Sequence, residues 1–148
     1  MSDRLVFTMR AARDSIRALE EEARRYHVAP RTLAETMLEE GIRMRRHPGV
    51  VFVDRGGGRA AVLAGRPRLS IWQIAQVARG SRSRAAAARD LSLDVSELQR
   101  ALAYASEYAD EIDAAIREND EAFERIQRLY PKVPTHASRR PRRAAAAR

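Results

Sequence analysis

The chain has 148 residues, no cysteine and a formal net charge of +8, with Lys132 as its single lysine and arginine supplying the rest of the positive charge. That length fits one domain or two small ones, and the missing cysteines exclude disulfides, thiolate chemistry and cysteine-based zinc sites. No run approaches the ~18 apolar residues of a membrane span, and Met1-Ser2-Asp3-Arg4 does not lead into a signal-peptide core, so a soluble, cytoplasmic protein is expected.

In chain order, Arg4-Leu5-Val6-Phe7-Thr8-Met9-Arg10 alternates apolar Leu5, Phe7 and Met9 with Val6, Thr8 and Arg10, the period of a half-buried strand. A helix follows from about Arg13 to Tyr26, with Ile16, Leu19, Ala23 and Tyr26 on one face. His27-Val28-Ala29 connects it to a second helix. Pro30 sits where a first-turn proline is tolerated, and the helix runs to about Arg46 with Leu33, Met37, Leu38 and Ile42 inward. His47-Pro48-Gly49 ends it and marks a domain boundary, giving an N-terminal domain 1–46.

Val50 to Asp54 reads as a strand, Gly56-Gly57-Gly58 as a turn and Arg59 to Ala64 as the return of a small hairpin. Ser70 and Gln73 form a capping-box pattern opening a helix that stops near Gly80. Ser83 to Leu91 is the next helix. Asp94 and Glu97 cap another, which continues, bent or straight, through Leu102, Tyr108, Ile112, Ile116 and Phe123 to about Tyr130. This second domain, 47–130, precedes an arginine-, proline- and alanine-rich segment, 131–148, expected to be a disordered basic tail. Charge is unevenly spread. Residues 47–91 and 131–148 each carry a net +6, while 92–130 carries −6. A basic middle and tail suit a polyanion such as nucleic acid, and an acidic helix suits a different partner.

A single strand followed by two helices leaves the strand without a ladder partner and the helices without a core. Pairing with a second copy through the strand would satisfy both. On Phe7-Thr8-Met9-Arg10, Ile16 and Leu19, Val28 to Leu33 and Glu40-Gly41-Ile42, residues 4–46 resemble the ribbon-helix-helix family of dimeric DNA-binding proteins. The resemblance implies that Arg4, Val6, Thr8 and Arg10 face the major groove and read bases. It also implies that Pro30, Arg31 and Thr32, opening the second helix, hold a phosphate. Ala29 departs from the pattern, standing where many relatives place a Ser or Thr cap. The competing reading is a strand that only dimerises.

Ala88 to Asp94, followed by Leu98 and Leu102, has the spacing of a helix-turn-helix. The wider stretch 47–118 resembles domain-of-unknown-function family 433, a winged-helix-like module found on VapB-type antitoxins. That likeness rests on His47-Pro48-Gly49-Val50, Gly58-Arg59, Ala64-Gly65, Ile71-Trp72, Ala101 to Ala105 and Asp110-Glu111-Ile112, with Ala60-Ala61 departing from the usual pattern. Two readings stay open. Either Ser96, Gln99 and Arg100 enter a second groove with Arg82 and Arg84 on phosphates, or these helices are a scaffold whose acidic continuation holds a partner through Tyr108, Ile112, Ile116 and Phe123. Glu97 on the reading face, and the acidic stretch after it, speak against the first.

His27, His47 and His136 show no ligand spacing, so no metal is expected. Gly56-Gly57-Gly58-Arg59 lacks the Gly-Lys-Ser/Thr of a phosphate loop. No nucleophile, base and oxyanion donor assemble, so neither catalysis nor a cofactor is expected. The sequence therefore reads as a mainly α chain: a ribbon-helix-helix domain, then a helix-turn-helix domain with a small hairpin and a long acidic helix. The expected role is a transcriptional repressor that binds operator DNA as a homodimer. The antitoxin role, with a protein toxin as partner, is implied by the resemblance alone. A stand-alone regulator, a nucleoid-type protein and a dimeric adaptor are the alternatives.

Overall fold

The computed structural model describes residues 6–56 and 58–131. They form α1 (Arg13–Arg25), α2 (Pro30–Arg46), β1 (Val50–Arg55), β2 (Gly58–Leu63), β3 (Arg66–Ser70), α3 (Ile71–Gly80), α4 (Arg84–Asp90), α5 (Val95–Glu107) and α6 (Ala109–Leu129). The chain divides into two compact units between Arg43 and Met44, inside α2 and ahead of the expected boundary at His47.

In the first unit, Asp14 in the first turn of α1 and Arg24 and Arg25 in its last turn oppose the helix dipole favourably. The helix closes through Val28 N–H donating to the Ala23 carbonyl at 3.0 Å, and His27 turns the chain in the left-handed region at φ 54°. Pro30 opens α2, where its missing N–H is an unpaired position anyway. The two helices barely pack on one another. Ala23 is the only buried residue among the described residues up to 43.

The expected fold needs correction here. Among the described residues, 6–12 form no strand, and Phe7 and Met9 are 76% and 66% exposed. Val6, Thr8 and Arg10 thus lie on an irregular exposed segment, and Arg4 lies outside the described residues. The chain is not a ribbon-helix-helix followed by a helix-turn-helix domain; it is mainly helical with a three-stranded antiparallel sheet in its middle. Alternation of apolar and polar residues makes a face but supplies no hydrogen-bond partner, and an isolated strand has none within its own chain. The expected basic tail, from 132 onward, also lies outside the described residues.

The second unit starts with the sheet, ordered β1-β2-β3. β1 pairs β2 from Val50↔Leu63 to Arg55↔Gly58. β2 pairs β3 through Val62↔Ser70 and Leu63↔Arg66, with an irregularity between Val62 and Leu63. The hairpin expected from sequence is therefore a three-stranded meander. β3 reads Arg-Pro-Arg-Leu-Ser, and its edge position is what admits Pro67. α3 and α5 pack against the strands, α4 against both of them, and α6 against α3 and α5. Val50, Leu63, Ile71, Ile74, Leu98 and Tyr104 form the centre of the core, with Trp72, Leu102, Tyr108 and Ile116 packed around it. Each fully buried side chain of this size contributes ~1.5–3 kcal/mol. The helix pair α4–α5 is thus no free-standing module but the middle of a unit that a sheet opens and α6 closes.

The acidic stretch is two helices, not one. Tyr108 breaks it at φ −109°, ψ 42°, with its ring centroid 4.6 Å from that of Tyr104. His47 packs edge-on against both rings at 5.2 and 5.8 Å and holds Glu107 across 2.8 Å, while Arg46 reaches the same carboxylate at 2.7 Å. Arg79 pairs Asp113 at 2.7 Å and Gln76 donates to Asp120 at 3.2 Å, tying α3 to α6. Among the described residues, no helix is long and apolar enough to cross a membrane.

Candidate nucleic-acid interface

Two short helices and the link between them build the site. The Ser83 hydroxyl oxygen accepts from Ala86 N–H at 3.1 Å and starts α4. Ala87 and Ala88 are buried, small side chains of the kind that suit the packing of α4 on α5. In the link, Ser92 takes a left-handed conformation at φ 54° and Leu93 is buried in the core, which fixes where α5 begins.

α5 opens with a reciprocal box. Glu97 N–H donates to Asp94 Oδ1 at 2.7 Å, Asp94 N–H donates to Glu97 Oε2 at 2.9 Å, and the Ser96 hydroxyl donates to Asp94 Oδ1 at 2.7 Å. These hydrogen bonds hold the Asp94 carboxyl below its ordinary pKa, the Glu97 amide first and the Ser96 hydroxyl next. Glu97 is lowered too, by the Asp94 amide first and then by Arg66.

Leu98, Ala101, Tyr104 and Ala105 turn one side of α5 into the core. On the other side Val95, Ser96, Gln99, Arg100 and Ala103 are exposed, at the spacing of a single helical face. Ser96, Gln99 and Arg100 are thereby brought together as expected. Arg82 and Arg84 lie exposed beside the start of α4. Glu97 does not stand on that face as an unpaired anion. Its carboxylate turns back to the cap and meets Arg66 of β3 at 3.3 Å, which answers the part of the objection that rested on Glu97, while the net −6 of residues 92–130 stands.

Two residues outside the expected site shape this face. Arg66 has no local motif to reveal it, being 31 positions from Glu97. Gly49 sits at φ +93°, where a Cβ would come within 3.3 Å of Arg100 Cδ and Nε, so the arginine stem lies over the glycine. In the sequence the Pro-Gly pair read as a helix stop and as part of the family 433 likeness, and neither reading points to Arg100.

The other candidates are placed differently. Pro30, Arg31 and Thr32 are exposed at the start of α2, but Arg31 is engaged by Glu35 at 3.0 Å, and the Thr32 carbonyl accepts from the Thr36 hydroxyl. Ile112 is buried in the core, and Tyr108 and Ile116 pack on it. Phe123 is half-buried, and the exposed apolar side chains of α6 are Ile126 and Leu129, followed by Tyr130. Among the described residues, no group of three or more His, Asp or Glu could hold a metal ion. Comparison with protein-family models, with curated proteins and with solved structures gave no match.

Proposed function

We propose that this chain is a double-stranded-DNA-binding regulator that works as a dimer, with the outward side of α5 entering the major groove. The observation that carries the reading is the makeup of that side. It offers an amide at Gln99, a guanidinium at Arg100, the Ser96 hydroxyl oxygen and an apolar contact at Val95; of the two carboxylates beside it, Glu97 is paired with Arg66 and Asp94 accepts the cap hydrogen bonds. Gln suits adenine, Arg suits guanine or a phosphate, and an aliphatic side chain suits the thymine methyl. Arg82 and Arg84 add phosphate contacts from the start of α4, and the net +6 of residues 47–91, balanced by −6 over 92–130, makes the attraction local to the arginine-bearing side.

Dimerisation is supported by the first unit. Its helices leave Ile16, Tyr26, Met37, Leu38 and Ile42 open to solvent, and exposed apolar side chains grouped in one small unit suit an interaction surface. Its net charge is small, so a second copy is not repelled. A second reading, a protein partner such as the toxin implied by the family resemblance, is favoured by Ile126, Leu129 and Tyr130 at the open end of α6.

Binding of a fluorescent duplex by the purified full chain, titrated over salt, tests the DNA reading. Affinity should fall steeply from 50 to 200 mM salt. R82A/R84A should weaken all sequences alike with a shallower salt slope, and Q99A or R100A should relax preference at single base pairs. No binding at 50 mM salt refutes it.

A further inference from the structure

On the DNA-binding reading above, we propose that Arg66 is a positioning residue for the α5 face: its guanidinium draws the Glu97 carboxylate off the surface that meets phosphate. Arg66 opens β3, set opposite Leu63 by the two-residue turn at Ala64-Gly65. From there its side chain spans to the α4–α5 link. Nε lies 3.3 Å from Glu97 Oε1, Nη2 lies 3.4 Å from Oε2, and Nη2 donates to the Ser92 carbonyl at 2.9 Å. Ser92 is the link residue in the left-handed region, so the same guanidinium holds both the bend before α5 and the acid within its first turn.

Glu97 has a reason of its own to be there. A Glu or Gln three residues after the cap returns the second hydrogen bond of the box, here to Asp94 N–H at 2.9 Å. The carboxylate form brings an unwanted charge, placed one residue from Ser96 and two from Gln99. Arg66 reconciles the two needs. The Glu97 side chain is only 17% exposed beneath it, whereas Arg66 is 43% exposed. The sheet thus completes electrostatically a surface that the helices build sterically, from a position no local pattern in the helices reveals.

The experiment compares duplex affinity at 0.1 M salt for the full chain, R66Q, E97Q, R66Q/E97Q and R66K, with melting of each variant. R66Q keeps an amide donor for the Ser92 carbonyl, and E97Q keeps the oxygen that caps Asp94. R66Q is expected to bind about tenfold more weakly, because a bare carboxylate then faces phosphate. E97Q should bind as well as the parent or better. R66Q/E97Q should return to within about threefold of the parent, since the acid that Arg66 masks is gone.

Equal weakening of R66Q and R66Q/E97Q overturns the proposal, because it makes Arg66 a phosphate contact or a purely structural strut. R66K keeps a cation beside Glu97 and carries the test if R66Q does not hold its fold; a folded R66K that loses tenfold also overturns it. If the parent chain binds no duplex, the DNA reading itself fails; if the parent binds and R66Q matches it, only the role of Arg66 fails.

Discussion

The two units use the same materials to opposite ends. Both are rich in Arg, Ala and Glu, and both contain helices with clear start and stop residues. In residues 44–131 the apolar sides converge on Tyr104, Ile71, Ile74 and Leu98, which are fully buried. In residues 6–43 the apolar sides of α1 and α2 do not converge, and Leu38 and Ile42 remain 53% and 49% exposed. The contrast teaches that amphipathic helices form on local rules, while a core forms only where something lies opposite. The second unit has a sheet to supply that opposite surface, and among the described residues of the first unit nothing does.

The sharpest way to break this comparison is to remove matched side chains from both units. Leu98→Ala or Ile74→Ala should destabilise the second unit by about 2–5 kcal/mol in chemical unfolding, as cavities in packed cores do. Leu38→Ala should cost well under that in the same experiment. A large loss at Leu38 together with a small loss at Leu98 would invert the assignment of core and surface. Charge placed on the open face gives the complementary result. Leu38→Glu combined with Ile42→Glu should convert a dimer to a monomer by light scattering, without moving the melting of the second unit.

A smaller effect is expected at Gly49. Its φ of +93° costs a residue with a Cβ about 1–2 kcal/mol, and Gly49→Ala would also push the Arg100 stem aside. Melting should fall by that amount while duplex affinity drops through Arg100. Unchanged affinity would separate Arg100 from the interface.

The subtlest effect is in pH. Asp94 and Glu97 both have lowered folded pKa values, from ordinary values of 3.8 and 4.5. Their contribution is therefore complete above those ordinary values and is lost as pH falls through the lowered folded ones. The parent should be more stable than D94N/E97Q at pH 6, and the difference should shrink as pH falls below about 4. A gap that persists at pH 2 would mean that charge on these carboxylates is not what the cap uses.

Much of the second unit's local structure was legible. The Ser70–Gln73 and Asp94–Glu97 patterns each give the reciprocal hydrogen bond expected of them, and Pro30 and Gly80 stand at the bounds of α2 and α3. The bend at Tyr108 was not. The apolar spacing from Leu102 through Ile112 stays in helical phase across it, so periodicity carries no mark of the break. β3 was not legible either, because Pro67 and two arginines in five residues read as a loop unless the strand is known to lie at an edge. In the candidate site, Ser96, Gln99 and Arg100 could be found from helical spacing. The pairing that disarms Glu97 could not, and its absence made the acid look like evidence against DNA.

Taken alone, the order of residues determined where helices start, which side of each is apolar, and how charge is divided along the chain, because those depend on neighbours within a few positions. Tertiary structure decided the rest: that residues 6–12 are not a strand, that the acidic stretch is two helices, and that Arg66 answers Glu97. Each of those depends on what faces a residue from a distant part of the chain, and hydrogen-bond partners, ring contacts and counter-charges have no periodicity to announce them.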